Sequence, residues 1–177
     1  MQKSGGSCCY VQNSCIFAKN FEAMVDFIGA HDCTIDSKGR VIVPAPLKRQ
    51  LLPFADKKFI VKRSASSPCL ELYVMEEWDK LRTKLSKLNP FVKKNNDFKR
   101  ALFAGIKEVE LDSTGRILLA KDLLAYSGIS KDVTMAAVGN IIEIWNKSLY
   151  EGTIATTGIS FEALAEDVMG GIDFSQD

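Results

Sequence analysis

The pentapeptide Asp36-Ser37-Lys38-Gly39-Arg40 returns 76 positions later as Asp112-Ser113-Thr114-Gly115-Arg116. Each copy runs directly into three apolar residues, Val41-Ile42-Val43 after the first and Ile117-Leu118-Leu119 after the second. The same offset aligns further glycine and apolar positions on both sides of the pentapeptide. Self-similarity at a fixed spacing is the signature of a repeated supersecondary unit. The sequence therefore predicts one unit written twice.

In the first copy, the pentapeptide separates two short apolar segments. Gly39 has no Cβ and can take the positive φ of a tight turn, so a β-hairpin is predicted. Pro44 and Pro46 then favour a short helix that Pro53 ends. Beyond it, β-branched and aromatic residues predict two more strands. The predicted elements are strands Asp32–Ile35 and Arg40–Val43, helix Pro46–Leu52, and strands Phe59–Lys62 and Leu70–Tyr73.

The second copy repeats this order, and Gly128 lies where a left-handed helix cap is expected. Its predicted elements are strands Lys107–Leu111 and Arg116–Leu119, a helix through Leu123 and Leu124, and strands Val133–Ala137 and Ile141–Trp145. Between the copies, apolar residues three and four apart predict an amphipathic helix from about Trp78 to near Pro90, and a second helix covers Asp97–Phe103. Ser160 is expected to cap a last helix.

Each half has too few strands to enclose a core alone, so the two halves are expected to pair their hairpins. The predicted class is α+β. The chain divides into an unstructured extension (residues 1–23), a first half with linker helices (24–101), a second half (102–150) and an acidic C-terminal helix and tail (151–177). Met24 offers a second starting point for translation, because the repeat begins immediately after it.

The charge is distributed unevenly along the chain. The formal net charge of the 177 residues is +1, but residues 151–177 carry six carboxylates and no Lys or Arg, which leaves +6 on residues 24–150. A near-neutral total therefore conceals a basic body and an acidic tail. With 46% hydrophobic residues, the chain can also bury a substantial core.

Several classes of protein are disfavoured by what the sequence lacks. Five cysteines without a C-x-x-C pair and the single His31 do not form a zinc site of ordinary spacing, so reduced thiols in a cytosol are expected. No segment resembles a secretory signal or a membrane span. The sequence has no nucleophile elbow, phosphate-binding glycine loop or histidine-centred triad. It therefore predicts a protein that is not an enzyme and needs no cofactor.

Together, these motifs resemble the MraZ family of transcriptional regulators. The similarity covers Met24 to about Asp173 and rests on the two D-x-x-G-R turns, the run from Gly39 to Pro44, Pro68-Cys69-Leu70 before Leu72-Tyr73, and Trp78. The resemblance implies tandem swapped-hairpin (SpoVT-AbrB-like) β-barrel halves with peripheral helices. Paired pentapeptides at this separation are a specific signal, whereas a single D-x-x-G-R would be weak.

The resemblance also implies a function: sequence-specific binding of double-stranded DNA at repeated promoter boxes, which represses a division and cell-wall gene cluster. It implies a ring-shaped homo-oligomer in the cytoplasm and nucleoid, with no membrane or small-molecule partner. Carried over by position, the DNA-binding residues are Asp36, Lys38, Arg40, Asp112 and Arg116. Thr114 stands where the first copy has Lys38, and Ala120 where it has Pro44. The second hairpin is therefore expected to bind DNA more weakly.

The paired Asp and Arg permit two interpretations. An Arg guanidinium can donate to phosphate or to a guanine edge in the major groove. Alternatively, the carboxylate accepts turn amides and pairs with the Arg, which makes both residues structural. The interpretations are compatible if Asp36 and Asp112 orient the arginines. Lys48 and Arg49 on the short helix, and the basic linker helices, are expected to be solvated faces or supporting phosphate contacts.

Two further functions remain open at this point. One is a general nucleoid binder or antitoxin-like relative of the same fold. The other is an assembly or adaptor protein that uses the repeat to oligomerise without binding DNA.

Overall fold

The computed structural model of the chain describes residues 25–56, 58–155 and 161–170. In that part of the chain, strands and helices alternate in two similar halves. The elements are β1 (Ala30–Thr34), β2 (Arg40–Ile42), α1 (Ala45–Leu51), β3 (Phe59–Arg63), β4 (Leu70–Val74), α2 (Met75–Ser86), α3 (Lys93–Phe103), β5 (Lys107–Val109), β6 (Arg116–Leu118), α4 (Lys121–Ser127), β7 (Asp132–Val138), β8 (Ile141–Asn146), α5 (Lys147–Ala155) and α6 (Phe161–Met169). The predicted extension before Met24 and the Ser160 cap lie outside the described residues.

The described strands form one six-stranded sheet and one two-stranded ribbon, and all of their pairs are antiparallel. The large sheet has the order β1-β7-β8-β4-β3-β5, and β2 pairs with β6 to make the ribbon. The large sheet is internally symmetric, because β4 and β8 are corresponding strands and pair at its centre. The mixed α+β class with two tandem halves is confirmed.

The prediction of a hairpin around each turn is wrong, except for one bridge next to the turn. A single bridge, Ile35 with Val41, joins the segments flanking the first turn, and Leu111 with Ile117 is its counterpart. Beyond the bridge the segments separate. Strand β1 instead pairs with β7 of the second half, and β5 pairs with β3 of the first. Each half therefore supplies an edge strand to the other, which gives both segments a partner for their backbone groups.

The expected pairing between the two halves is confirmed in the ribbon. Val41 and Ile117 are directly opposite each other in the β2–β6 register, and both are 1% exposed. They point into the core, which also holds side chains from α1, α4 and one face of the large sheet. Its most buried large members include Leu47, Leu51, Phe59, Leu70, Leu72, Leu123, Met135 and Ile144.

The helices differ from the predictions mainly at their ends. Pro53 does not end the first helix abruptly but lies in a 3₁₀ turn, Leu52–Phe54, that continues α1. Proline is tolerated in the first turn of a helix, because its missing N–H would have no partner there. Helix α3 begins at Lys93 rather than Asp97. The left-handed cap at Gly128 is confirmed, with φ of 62°.

Helix α5 was not predicted. It is the second-half counterpart of α2, but Gly152 interrupts its sequence and hides the helical pattern. Trp78 and Trp145 are 4% and 3% exposed, so both are packing residues. None of the described helices combines the length and the apolar character needed to cross a membrane.

Candidate nucleic-acid interface

The first turn is organised around the carboxylate of Asp36. Its Oδ1 accepts the backbone N–H groups of Lys38 (2.8 Å) and Arg40 (3.0 Å). Its Oδ2 accepts the Arg40 Nε–H at 2.6 Å. Because Asp36 accepts from Nε, it leaves the Nη groups of Arg40 available to donate to another acceptor. Asp36 therefore holds both the turn and the angle of the guanidinium.

The second turn has the same geometry with one additional donor. Asp112 Oδ1 accepts the N–H groups of Thr114 and Arg116, each at 2.9 Å, and the Thr114 hydroxyl at 2.6 Å. Asp112 Oδ2 accepts the Arg116 Nε–H at 2.8 Å. The substitution of Thr114 for a lysine thus removes a charge from this turn but adds a hydrogen bond that fixes it.

Both turns have an ionised carboxylate at neutral pH. Hydrogen bonds from the Arg40 N–H, the Arg40 side chain and the Lys38 N–H outweigh partial desolvation and lower the pKa of Asp36. For Asp112, the Thr114 hydroxyl is the largest influence, followed by the Arg116 N–H, and the pKa is lowered far below the ordinary carboxyl range. Neither group is suited to acid–base catalysis near neutral pH.

Glycine closes each turn against the opposite strand. Gly39 has φ of 85° and Gly115 has φ of 79°, the left-handed region that side chains disfavour. The Leu119 N–H donates to the Gly39 carbonyl at 2.8 Å, and the Val43 N–H donates to the Gly115 carbonyl at 3.1 Å. The two turns are therefore tied to the two ends of one ribbon.

The register places both arginines on the outer face of this ribbon. Arg40 is opposite Leu118, and Arg116 is opposite Ile42. Directly opposed residues point to the same face of a sheet, and so do residues two apart on one strand. Because Val41 and Ile117 face the core, all four of these side chains face outward. The structure thus brings the two predicted clusters, Asp36–Arg40 and Asp112–Arg116, onto one surface.

Ile42 and Leu118 belong to this surface and were missed by the sequence reasoning. They are 53% and 58% exposed, although each is the middle residue of an apolar run. The strand period of two was the available signal, since it turns the middle residue of three away from the core. We call the outward-facing Arg40, Ile42, Arg116 and Leu118 the ribbon face.

The other basic residues lie in different settings. Lys38 is exposed at the tip of the first turn, Arg49 is exposed on α1, and Lys48 of α1 reaches the second turn. On the linker helices, Arg82 pairs with Asp79 at 3.0 Å and Arg100 with Asp97 at 2.9 Å. These i,i+3 pairs are typical of solvated helix faces, which supports the structural interpretation of the linker charges.

Comparison with known proteins identifies relatives that cover most of the chain. The family described as "MraZ protein, putative antitoxin-like" matches residues 27–101 and again residues 102–170. A protein of Christiangramia forsetii named transcriptional regulator MraZ is 47% identical over 151 residues, covering 85% of this chain and 97% of its own.

Two further relatives bear the same name. The Flavobacterium psychrophilum protein is 47% identical over 150 residues, which cover 85% of this chain and 96% of that protein. The Acetivibrio thermocellus protein is 39% identical over 141 residues, with coverage of 79% and 94%. With two family matches in tandem and relatives of nearly the same extent, this chain belongs to the MraZ family.

Proposed function

We propose that this protein is a sequence-specific DNA-binding transcriptional regulator and that the ribbon face is its DNA-contacting surface. The observation that carries the proposal is the pair of arginines, each oriented by an aspartate, on one exposed face of an antiparallel ribbon. The names of the relatives support the regulatory role. Asp36 and Asp112 act as positioning residues, and Arg40, Arg116 and Lys38 contact DNA.

The dimensions of the ribbon suit the major groove. The groove is about 12 Å wide and admits a two-stranded ribbon. Arg40 and Arg116 are diagonal neighbours, and such positions are separated by about 7–8 Å. That separation is close to the rise of two base pairs, at about 3.4 Å each. The two guanidinium groups can therefore address guanine edges or phosphates that are two steps apart.

Several subunits acting together are part of this proposal. We propose that the protein represses a division and cell-wall gene cluster by binding repeated promoter boxes as a ring-shaped oligomer in the cytoplasm, on the nucleoid. A net charge of only +6 on the body gives one subunit few phosphate contacts, and linked subunits gain affinity through effective concentration. Exposed aromatic residues, among them Phe91 at 95% and Phe98 at 52%, offer surface for subunit contacts.

The test is a mobility-shift titration and a nuclease footprint on DNA from upstream of the protein's own gene. Wild-type protein should protect short, regularly spaced sites. Arg40→Ala and Arg116→Ala should each weaken binding while the circular dichroism spectrum stays unchanged. The matched control is Arg82→Ala, because Arg82 is also paired with an aspartate but lies on helix α2 rather than on the ribbon.

If wild type and Arg40→Ala bind the DNA with equal affinity, the ribbon face is not the DNA-contacting surface. Diffuse protection without spacing would favour a general nucleoid binder or an antitoxin-like role, for which the family description gives some support. The absence of any protection would favour an assembly or adaptor protein, a role consistent with the exposed aromatic residues.

A further inference from the structure

Lys48 and Leu124 occupy equivalent positions in the two halves. They are separated by the same 76 residues as the pentapeptides, and each lies on the short helix after the ribbon strand, α1 or α4. Each side chain reaches the glycine of the other half's turn. A Cβ built on Gly39 would lie 3.5 Å from Leu124 Cδ1, and one built on Gly115 would lie 2.5 Å from Lys48 Nζ.

Lys48 and Leu124 have the same packing role, but only Lys48 carries a charge. Leu124 shows that covering the turn glycine needs only an apolar side chain. The stem of Lys48 covers Gly115 in the same way, with Cε and Cδ 2.7 and 2.8 Å from the built Cβ. Its ammonium group is therefore not required for packing. Within the described residues, Lys48 forms no salt bridge with a carboxylate, so its charge is available to an external anion.

The second turn is also the one that lacks a lysine of its own. The first turn presents Asp36, Lys38 and Arg40, whereas the second presents Asp112, Thr114 and Arg116. With Lys48 placed over Gly115, each end of the ribbon has one aspartate, one arginine and one lysine. The lysine comes from the turn itself at one end and from the other half of the chain at the other end.

We propose that Lys48 is a DNA phosphate-contacting residue of the second turn, supplied by the first half of the chain. This inference rests on the proposed function of the ribbon face and deepens it. Lysine suits this role as a compact charge on a flexible stem that contacts the backbone without specifying a base. The second turn is then not the weaker end of the interface, contrary to what Thr114 alone predicts.

The experiment measures the salt dependence of binding to the upstream DNA by fluorescence anisotropy. Lys48→Leu copies the natural arrangement at the other turn, and Lys48→Gln keeps a polar side chain without charge. Each should reduce the slope of log affinity against log salt by about 0.9 for each engaged subunit. Between about 50 and 200 mM salt, the loss of affinity should be smaller than for wild type by a factor of about three for each engaged subunit.

A rescue variant distinguishes charge from packing. Thr114→Lys, added to Lys48→Leu, places a lysine in the second turn as Lys38 does in the first, and it should restore the salt slope. Lys94→Leu is the control, because it removes one lysine from helix α3, outside the ribbon. This variant should leave the slope unchanged. Thermal melts of all variants check that they fold.

The outcomes are distinct. Wild-type slopes in both Lys48 variants would overturn the assignment of Lys48 while leaving the ribbon face intact. A reduced slope that Thr114→Lys does not restore would also overturn it, because a lysine at this end of the ribbon would then not be the group that sets the slope. If wild-type protein itself does not bind the upstream DNA, the proposed function fails, and the role of Lys48 fails with it.

Discussion

Arg40 and Arg116 stand diagonally across the β2–β6 ribbon, each with its Nε held by the aspartate four residues before it. This arrangement orients both guanidinium groups before any ligand is present. A preorganised Arg loses less conformational freedom on binding than a free one. The consequences of the arrangement for binding, stability and pH dependence can each be measured.

A lysine at position 40 should not support specific DNA binding as well as the arginine does, although it carries the same charge. Arg40→Lys keeps the positive charge but loses the planar donor and the Nε hydrogen bond to Asp36. We expect the free energy of specific binding to weaken by about 1–3 kcal/mol, the range for one bidentate base contact. The affinity for non-specific DNA should change little. Titrations with and without random-sequence competitor DNA measure both quantities. Arg82→Lys on helix α2 is the control, and equal effects of the two variants would contradict a base-contacting role.

The two apolar side chains of the ribbon face should contact thymine methyl groups. Ile42 and Leu118 are more than half exposed, and each lies directly opposite one of the two arginines on the ribbon face. Apolar side chains contact the thymine methyl in the major groove. Wild-type protein should bind upstream DNA made with deoxyuridine in place of thymidine more weakly than the natural DNA. The double variant Ile42→Ser/Leu118→Ser should show a smaller difference between the two DNAs. An identical ratio for both proteins would exclude the contact.

The two turn glycines should differ in their tolerance of a side chain. Alanine at either position costs about 1–2 kcal/mol for the left-handed backbone. At Gly39 the new Cβ would also lie 2.9 Å from the Leu119 carbonyl oxygen, whereas at Gly115 its three nearest atoms belong to the flexible Lys48 side chain. Gly39→Ala should therefore lower the free energy of unfolding more than Gly115→Ala. Urea denaturation of both variants tests this order, and the reverse order would contradict it.

Acid should remove the stabilising effect of Asp112. Its pKa is lower in the folded protein than the ordinary value of 3.8, so the ionised group stabilises the fold above that value. This contribution is lost as the pH falls below about 3.8 toward the lowered pKa. Wild type should be more stable than Asp112→Asn at pH 7, and the gap should narrow below pH 4. Urea midpoints measured from pH 7 to pH 2 test this, and a constant gap would refute it.

The local elements were predictable because their signals lie within a few residues of one another. The glycine turns, the strand segments and the Gly128 cap all follow from short-range chemistry. The repeated pentapeptide also predicted that Arg40 and Arg116 have equivalent surroundings. Their shared face, however, depends on the β2–β6 register, which joins residues far apart in the sequence.

The remaining features depend on which strand finds which partner. The same alternating pattern in β1 fits a hairpin with β2 or an edge position beside β7, and only the structure distinguishes them. For the same reason, nothing in the sequence near Lys48 indicates that its side chain lies over Gly115. The exposure of Ile42 was hidden because three consecutive apolar residues look like a fully buried strand.

The exchange of edge strands between the halves bears on how such a chain can arise. Ala30 in β1 pairs with Ala136 in β7, and Val61 in β3 pairs with Lys107 in β5. A polypeptide of half this length would keep the β3–β4 pair but leave the other edge of β3 unpaired and β1 without a partner strand, and a second identical copy would supply both partners. The present chain is equivalent to such a homodimer joined end to end. Because both copies lie in one chain, equivalent positions can carry different residues, as Lys48 and Leu124 do.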